Sequence, residues 1–351
     1  MIARKTGLPA SAPLGGSAVR LAEPRARRDA LWSPTASRAR GALSASGTAT
    51  ILPRLLAVGA LLKLRVNFLV LVTTFVGYRV AEASLGLGAP GGGVAFRVPG
   101  EGLTHLVHTL LATLCLGGGA SALNQFFERD LDARMERTRG RPLPSGMLSA
   151  EFARGFGVLL VIAGIAWLAL LVNPRAAAAG AATVVLYVFA YTPLKRLSTL
   201  SLLVGAVAGA MPPLIGWAAA SGRLDGAAWS LFSVQFIWQV PHFLAIAWIY
   251  RDDYRRAGFR MLPVVDGDAG ATTALQTVAW SFALLPASLA IPGVFRLGGA
   301  YFFFAALALG LGFVVAASVF AFRRTTGSAR VLVAVSIAYL PLLFVALLAA
   351  L

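Results

Sequence analysis

The sequence is short of almost everything a water-soluble enzyme displays on its surface. Of 351 residues only 13% are charged, 14 are acidic, three are histidine and one is cysteine. Soluble domains carry about 25% charged residues. The lone thiol, Cys115, excludes an intrachain disulfide and a cysteine-based metal site; it lies inside an apolar run and reads as a packing residue. The apolar runs themselves are nearly free of Asp and Glu. Transporters and pumps place such groups near the midplane of their spans, so their scarcity argues against transport. A cleavable secretory signal is also missing, because the first apolar run starts late and many more come after it.

What is present is blocky hydrophobicity: 58% of the residues are apolar, gathered in long runs between short charged segments. About 20 apolar residues in helical form cross the hydrocarbon core. Lipid cannot satisfy backbone polar groups, so each run must pair its own N–H and C=O groups as a helix. The runs predict an all-α integral membrane protein with nine spans, near 66–85, 104–126, 154–173, 176–193, 200–220, 228–249, 272–293, 298–321 and 330–350. Only Asn173, Pro174 and Arg175 separate the third span from the fourth, with Pro174 as the breaker. Residues 1–55 form a basic tail before a membrane domain over 56–351.

The net charge of +17 is mostly a topology signal. With nine spans and the N-terminus inside, 26 of the 31 Lys and Arg fall on the inner side, and only Arg79, Arg97, Arg175, Arg223 and Arg296 fall outside. The surplus also favours anionic lipid head groups. No nucleic-acid recognition motif accompanies it, so nucleic acid is excluded as the partner. Residues 1–50 are rich in Arg, Ala, Ser and Pro and poor in acids. That composition fits a retained tail or an organelle transit peptide, and the inside-charge count favours the tail.

Nine of the 14 acids lie in two inner segments, those after the second and sixth spans. This places the chemistry in cytoplasmic loops over an apolar bundle. In the first segment Asn124, Glu128 and Asp132 recur at i, i+4, i+8, one stripe of a helix. Two carboxylates and an amide oxygen form a hard-oxygen set suited to Mg²⁺, which keeps its other positions for water and substrate phosphate. Arg137, Arg139 and Arg141 come directly after, and guanidinium groups bind phosphate oxygens in pairs. Read blandly, the stripe is a helix end with ordinary ion pairs and the arginines are inner-side decoration. The second segment answers the first: Asp252 and Asp253 stand beside Arg251, Arg255 and Arg256, again at the inner end of an apolar run. Lys195 and Arg196 end the fourth span on that same side. Together these describe a metal–diphosphate clamp.

The motifs carry a resemblance. Asn124-x3-Glu128-Arg129-Asp130-x-Asp132-x2-Met135-x-Arg137-Thr138-x2-Arg141-Pro142 resembles the first signature of the UbiA superfamily of intramembrane prenyltransferases, and more narrowly that of the protohaem IX farnesyltransferases. Tyr191-Thr192-Pro193-Leu194-Lys195-Arg196, Gly205 to Trp217, Trp238-Gln239-Val240-Pro241-His242-Phe243 and Asp253-Tyr254-x2-Ala257-Gly258-x2-Met261-Leu262-Pro263-Val264 come next, in the order of that family. The likeness covers residues 60–350. The chain departs at Glu128, where the family usually has aspartate, at Ser201, usually Asn, and at Leu64, often Pro.

The resemblance implies transfer of a farnesyl group from farnesyl diphosphate to a vinyl group of haem b, giving haem O. It implies Asn124, Glu128, Asp132 and Asp253 as catalytic groups, the same four with Asp252 as Mg²⁺ ligands, and Arg137, Arg141, Lys195, Arg196 and Arg256 on the diphosphate. His242 and Trp238 become candidates for haem contact, although a buried histidine satisfied by a neighbour is the bland alternative for His242. His105 and His108 lie near the outer end and are expected to take no part. A bacterial inner membrane, with haem A synthase or oxidase-assembly partners, would be the setting; a mitochondrial inner membrane is the alternative. The rival acceptors are a quinone precursor or a chlorin, and the rival of another class is a non-catalytic transporter.

Overall fold

The computed structural model describes residues 51–84, 86, 101–267 and 269–351. The expected tail over 1–50 lies outside the described residues. Helix α1, Ile51–Leu61, begins inside the segment 1–55 expected as tail. Among the described residues there is no strand, and nine helices are long and apolar enough to cross a membrane. These are α2 (Leu64–Ser84), α3 (Glu101–Asp132), α4 (Ala150–Leu171), α5 (Pro174–Val184) running on into α6 (Thr192–Leu197), α7 (Ser201–Ser221), α8 (Gly226–Ile249), α11 (Ala271–Gly293), α12 (Gly299–Arg323) and α13 (Thr326–Ala349). Two short helices, α9 (Arg251–Ala257) and α10 (Leu262–Val265), lie between α8 and α11.

The break between the third and fourth spans is built by Asn173. Its side-chain oxygen accepts from the Ala176 N–H at 2.8 Å and caps α5, while its amide donates to the carbonyls of Ala218 and Ala219 at 2.9 and 3.1 Å. Pro174 sits at the start of α5, where its missing N–H costs nothing, so it opens the new helix more than it breaks the old one. Asn173 therefore ends one span, starts the next and fastens both to α7.

α7 lies at the centre of the bundle, against α2, α5 and α8. It meets α2 backbone to backbone: a Cβ at Gly216 would strike the Thr74 carbonyl oxygen, and one at Gly77 would strike that of Pro213. Small residues permit this approach, which is how helices gain contact where lipid offers no hydrophobic drive. Pro213 has no N–H to give the Gly209 carbonyl one turn back. In lipid that orphan would be costly, and the Gln235 side chain of α8 donates to it at 2.7 Å. Around this centre large apolar side chains face outward, Phe322 at 87% and Leu170 at 81% exposure, as a lipid-facing surface.

Two local features aim the functional residues. Between α5 and α6 the chain widens into a π-helical turn over Val185–Tyr191. The Tyr187 carbonyl accepts from both the N–H and the hydroxyl of Thr192, the latter at 2.8 Å. Single π turns inside helices rotate the residues C-terminal to them and recur at functional sites. Here the rotated residues are Thr192 and Lys195. The chain then runs antiparallel from span to span, so the segments 133–149, 198–200 and 250–270 leave the bundle at one end.

Candidate active site

The last turns of α3 carry the stripe expected from spacing. Asn124, Glu128 and Asp132 are buried, at 1%, 4% and 1% exposure. Each meets one cation from a different part of the chain. Lys63, in the turn before α2, donates to Asn124 Oδ1 at 3.0 Å. Lys195, rotated inward by the π turn, donates to Glu128 Oε1 at 2.6 Å. Arg141, from the loop after α3, donates to Asp132 Oδ2 at 2.7 Å. The Asn124 amide nitrogen donates to the Thr192 hydroxyl at 3.1 Å, and the Thr138 hydroxyl donates to the Asp132 carbonyl at 2.8 Å, folding the loop back over the helix end.

Lys63 belongs to this site although sequence reading counts it only as inner-side charge. It is the lysine immediately before the first span, and its position on the stripe depends on a contact 61 residues away. Burial, with Arg141 and Lys195 close by, pulls its ammonium down to about 7. The Lys195 ammonium also lies over the Tyr191 ring, 4.4 Å from its centre, and faces Phe259 at 5.7 Å.

The second acidic motif is arranged differently from the expectation. Asp253 is buried and accepts from the backbone N–H groups of Glu136 and Arg137, at 3.3 and 3.4 Å, and from the Arg256 guanidinium. It latches the 250–270 segment to the loop after α3. Arg137 closes the latch from above: its guanidinium lies over the rings of Tyr250 and Tyr254, at 4.5 and 5.2 Å, and donates to the Tyr254 hydroxyl at 3.0 Å. The Arg260 N–H donates to the Lys195 carbonyl at 2.8 Å, tying the same segment to α6. Asp252, expected as a metal ligand, lies apart from the stripe. Its side chain is 68% exposed and pairs with Arg255 at 2.9 Å, because it is turned about 100° around α9 from the buried Asp253. Asp266 is structural: partial burial works against its charge, yet hydrogen bonds from Thr273 and Thr272 at the start of α11 hold its carboxyl below the usual range. Arg196 is exposed at this end of the bundle.

Among the described residues no three His, Cys, Asp or Glu side chains form a ready metal cluster. The stripe supplies two carboxylates and one amide, so a cation bound there needs further oxygens from water or substrate. One ligand atom is already waiting: Asp132 Oδ1 is buried and has no hydrogen-bond partner among the described residues. A hard cation satisfies such an oxygen, and the donor set fits Mg²⁺. Ser201, at the start of α7, has a buried hydroxyl that likewise meets no partner among the described residues.

An apolar cavity of about 50 Å³ lies beneath the latch, lined in part by Tyr191, Leu202, Phe243, Tyr254 and Leu262. Tyr191 and Tyr254 thus face both the cavity and the cations above it. A larger cleft of about 400 Å³, between Arg79, Glu82 and Leu348, is at the opposite end and contains none of the motif residues. His105 and His108 are also there. The Tyr78 hydroxyl lies 3.1 Å from His105 Nδ1, and the Trp167 indole donates to His108 Nδ1 at 3.0 Å. His242 and Trp238 sit deeper in α8, with stacked rings 5.0 Å apart.

The UbiA prenyltransferase family model matches residues 87–349. The chain belongs to the UbiA prenyltransferase family. It is 45% identical over 284 residues to the protoheme IX farnesyltransferase of Solibacter usitatus, covering 81% of this chain and 94% of that one. It is 46% identical over 241 residues to the enzyme of the same name from an Anaeromyxobacter species, covering 68% and 80%. Its fold is that of digeranylgeranylglyceryl phosphate synthase, with a TM-score of 0.67 at 13% identity over 85% of this chain and 98% of that one. A UbiA homolog from Archaeoglobus fulgidus, bound to GPP and Mg²⁺, aligns with a TM-score of 0.53 at 15% identity over 83% and 99%. This family member is a membrane prenyltransferase.

Proposed function

We propose that this enzyme transfers the farnesyl group of farnesyl diphosphate to a vinyl carbon of haem b, giving haem O and diphosphate. The observation that carries the reading is the buried Asn124–Glu128–Asp132 stripe with one cation on each member. Relatives more than 40% identical over most of the chain are named for protohaem IX and a farnesyl group, which supports these substrates.

Mg²⁺ held by Asn124, Glu128 and Asp132 would neutralise negative charge on the diphosphate as its C–O bond breaks. Lys63, Lys195 and Arg141 now rest on those same three side chains. With a metal held there, the three cations would be free to take phosphate oxygens, joined by Arg137, Arg196 and Arg256 at the rim. Tyr191 shields Lys195 from the apolar cavity beneath and offers its ring to a developing allylic cation. Asp253 acts by holding the loop of Arg137 in place. The farnesyl C1–O bond breaks and a bond forms from C1 to the vinyl carbon. Water then adds the hydroxyl to the neighbouring carbon and gives up a proton.

The test is direct. Membranes containing the protein, given haem b, farnesyl diphosphate and Mg²⁺, should yield a haem heavier by a hydroxyfarnesyl group in mass spectrometry. Unchanged haem together with prenylated 4-hydroxybenzoate would replace the acceptor and keep the clamp.

The surplus of inner-side Lys and Arg supports an N-terminus in the cytoplasm of a bacterium, with residues 1–55 as a basic tail and the clamp on the cytoplasmic face. A reporter fused after Leu351 should then read as outside; a cytoplasmic signal would break the nine-span orientation.

A further inference from the structure

The imidazole of His242 is held by one residue of another helix. His242 lies about 10 Å below the end of α8, seven residues before Ile249 at 1.5 Å per residue. Its Nδ1 is 2.7 Å from the hydroxyl oxygen of Ser336 in α13. The same hydroxyl lies 2.7 Å from the Val333 carbonyl, one turn earlier in α13. A serine hydroxyl has one proton and two lone pairs. A carbonyl only accepts, so the proton goes to Val333, and the oxygen can only accept from His242. Nδ1 therefore carries the hydrogen, and the neutral ring has its lone pair at Nε2.

The ring is fixed as well as the proton. Trp238, one turn before His242, stacks on the imidazole at 5.0 Å with 15° between planes. Its indole N–H donates to the Ser336 backbone carbonyl at 2.8 Å. Ser336 thus grips both rings, one through its side chain and one through its backbone. Nε2 meets no hydrogen-bond partner among the described residues, and it is not among the polar atoms sealed from solvent without a partner. A ring oriented at one nitrogen by a hydrogen bond, with an open lone pair at the other, is how proteins present histidine to a metal.

We propose that Ser336 is a positioning residue for the acceptor substrate: it fixes the His242 tautomer so that Nε2 is presented to the iron of the tetrapyrrole. The inference rests on haem b being the acceptor. The sequence gives no sign of this, since Ser336 is one serine in the long hydrophobic run of α13.

The experiment uses the full-length protein with haem b and no farnesyl diphosphate, so that binding is read without turnover. Wild-type protein should show a histidine-ligated haem by optical and electron paramagnetic resonance spectroscopy, and His242→Ala should lose that signature. Ser336→Ala should weaken haem binding by about tenfold, the low end of what loss of an outer hydrogen bond costs a metal site, and shift the spectrum. Ser336→Thr keeps the hydroxyl and should restore both. In turnover, Ser336→Ala should raise KM for haem and leave KM for farnesyl diphosphate unchanged. A Ser336→Ala protein with wild-type haem affinity and spectrum overturns the proposal, even where the wild-type enzyme makes farnesylated haem. Wild-type protein that binds no haem overturns this proposal and the acceptor reading together. Should the alanine variant fail to fold, resonance Raman of the wild-type ferrous complex decides: an iron–histidine stretch typical of a ring with no Nδ1 hydrogen bond overturns the assignment.

Discussion

Asp132→Asn should lower prenyl transfer by roughly 100-fold or more, the scale seen when one preorganised charge-stabilising group is removed, while the protein still inserts and melts close to wild type. The side chain is 1% exposed, its Oδ2 rests on Arg141, and its Oδ1 has no partner among the described residues. Asparagine keeps the shape and removes the charge that a divalent cation requires. The loop should survive, because Thr138 holds the Asp132 backbone carbonyl and not its side chain. Turnover measured against Mg²⁺ concentration reads the effect. In wild-type protein Mg²⁺ and inorganic diphosphate should each tighten the other by about tenfold in calorimetry, since each frees groups for the other and such coupling is reciprocal. Asp132→Asn should lose that coupling. Glu128→Gln should lose activity too, with a further cost of roughly 3 kcal/mol in stability, because it leaves the Lys195 ammonium buried without its partner. Asp252→Asn, exposed and outside the stripe, should be close to wild type. Full activity in both Asp132→Asn and Glu128→Gln would remove the metal assignment.

Gly216→Val should unfold or severely destabilise the protein without touching a charged group. Forcing atoms into a packed contact costs about 1–3 kcal/mol and sometimes more. Here the added Cβ meets the Thr74 carbonyl and the Tyr78 N–H of α2, backbone atoms that cannot rotate away. α7 must then separate from α2 along the crossing that centres the bundle. The damage should spread to the clamp, since Gly205 of the same helix packs against the Tyr191 ring, which faces Lys195. Thermal aggregation of the detergent-solubilised protein, monitored by size exclusion, measures the loss. Gly312→Ala in α12 has open space for its Cβ and should be neutral or slightly stabilising. A Gly216→Val protein as stable as Gly312→Ala would mean that the α2–α7 contact is not tight.

The sequence by itself determined the nine spans, because a chain in lipid must satisfy its backbone within each apolar run and leaves no other structure for such runs. It also determined the Asn124–Glu128–Asp132 stripe, since i, i+4, i+8 spacing puts three side chains on one helix face whatever surrounds it. Even the short break at Asn173 and Pro174 was readable, though their capping of α5 and hold on α7 were not. The tertiary structure alone decided the partners. Lys63, Lys195 and Arg141 reach the stripe from 61, 67 and 9 residues away, and the first two depend on how neighbouring helices are rotated and staggered. A π turn, invisible to hydropathy, sets that rotation for Lys195. It also decided that of two adjacent aspartates one is a buried latch and the other faces out, and that Ser336 of α13 holds His242. Periodicity is a property of one helix; which charge meets which depends on the register between helices, and that is fixed only when they pack.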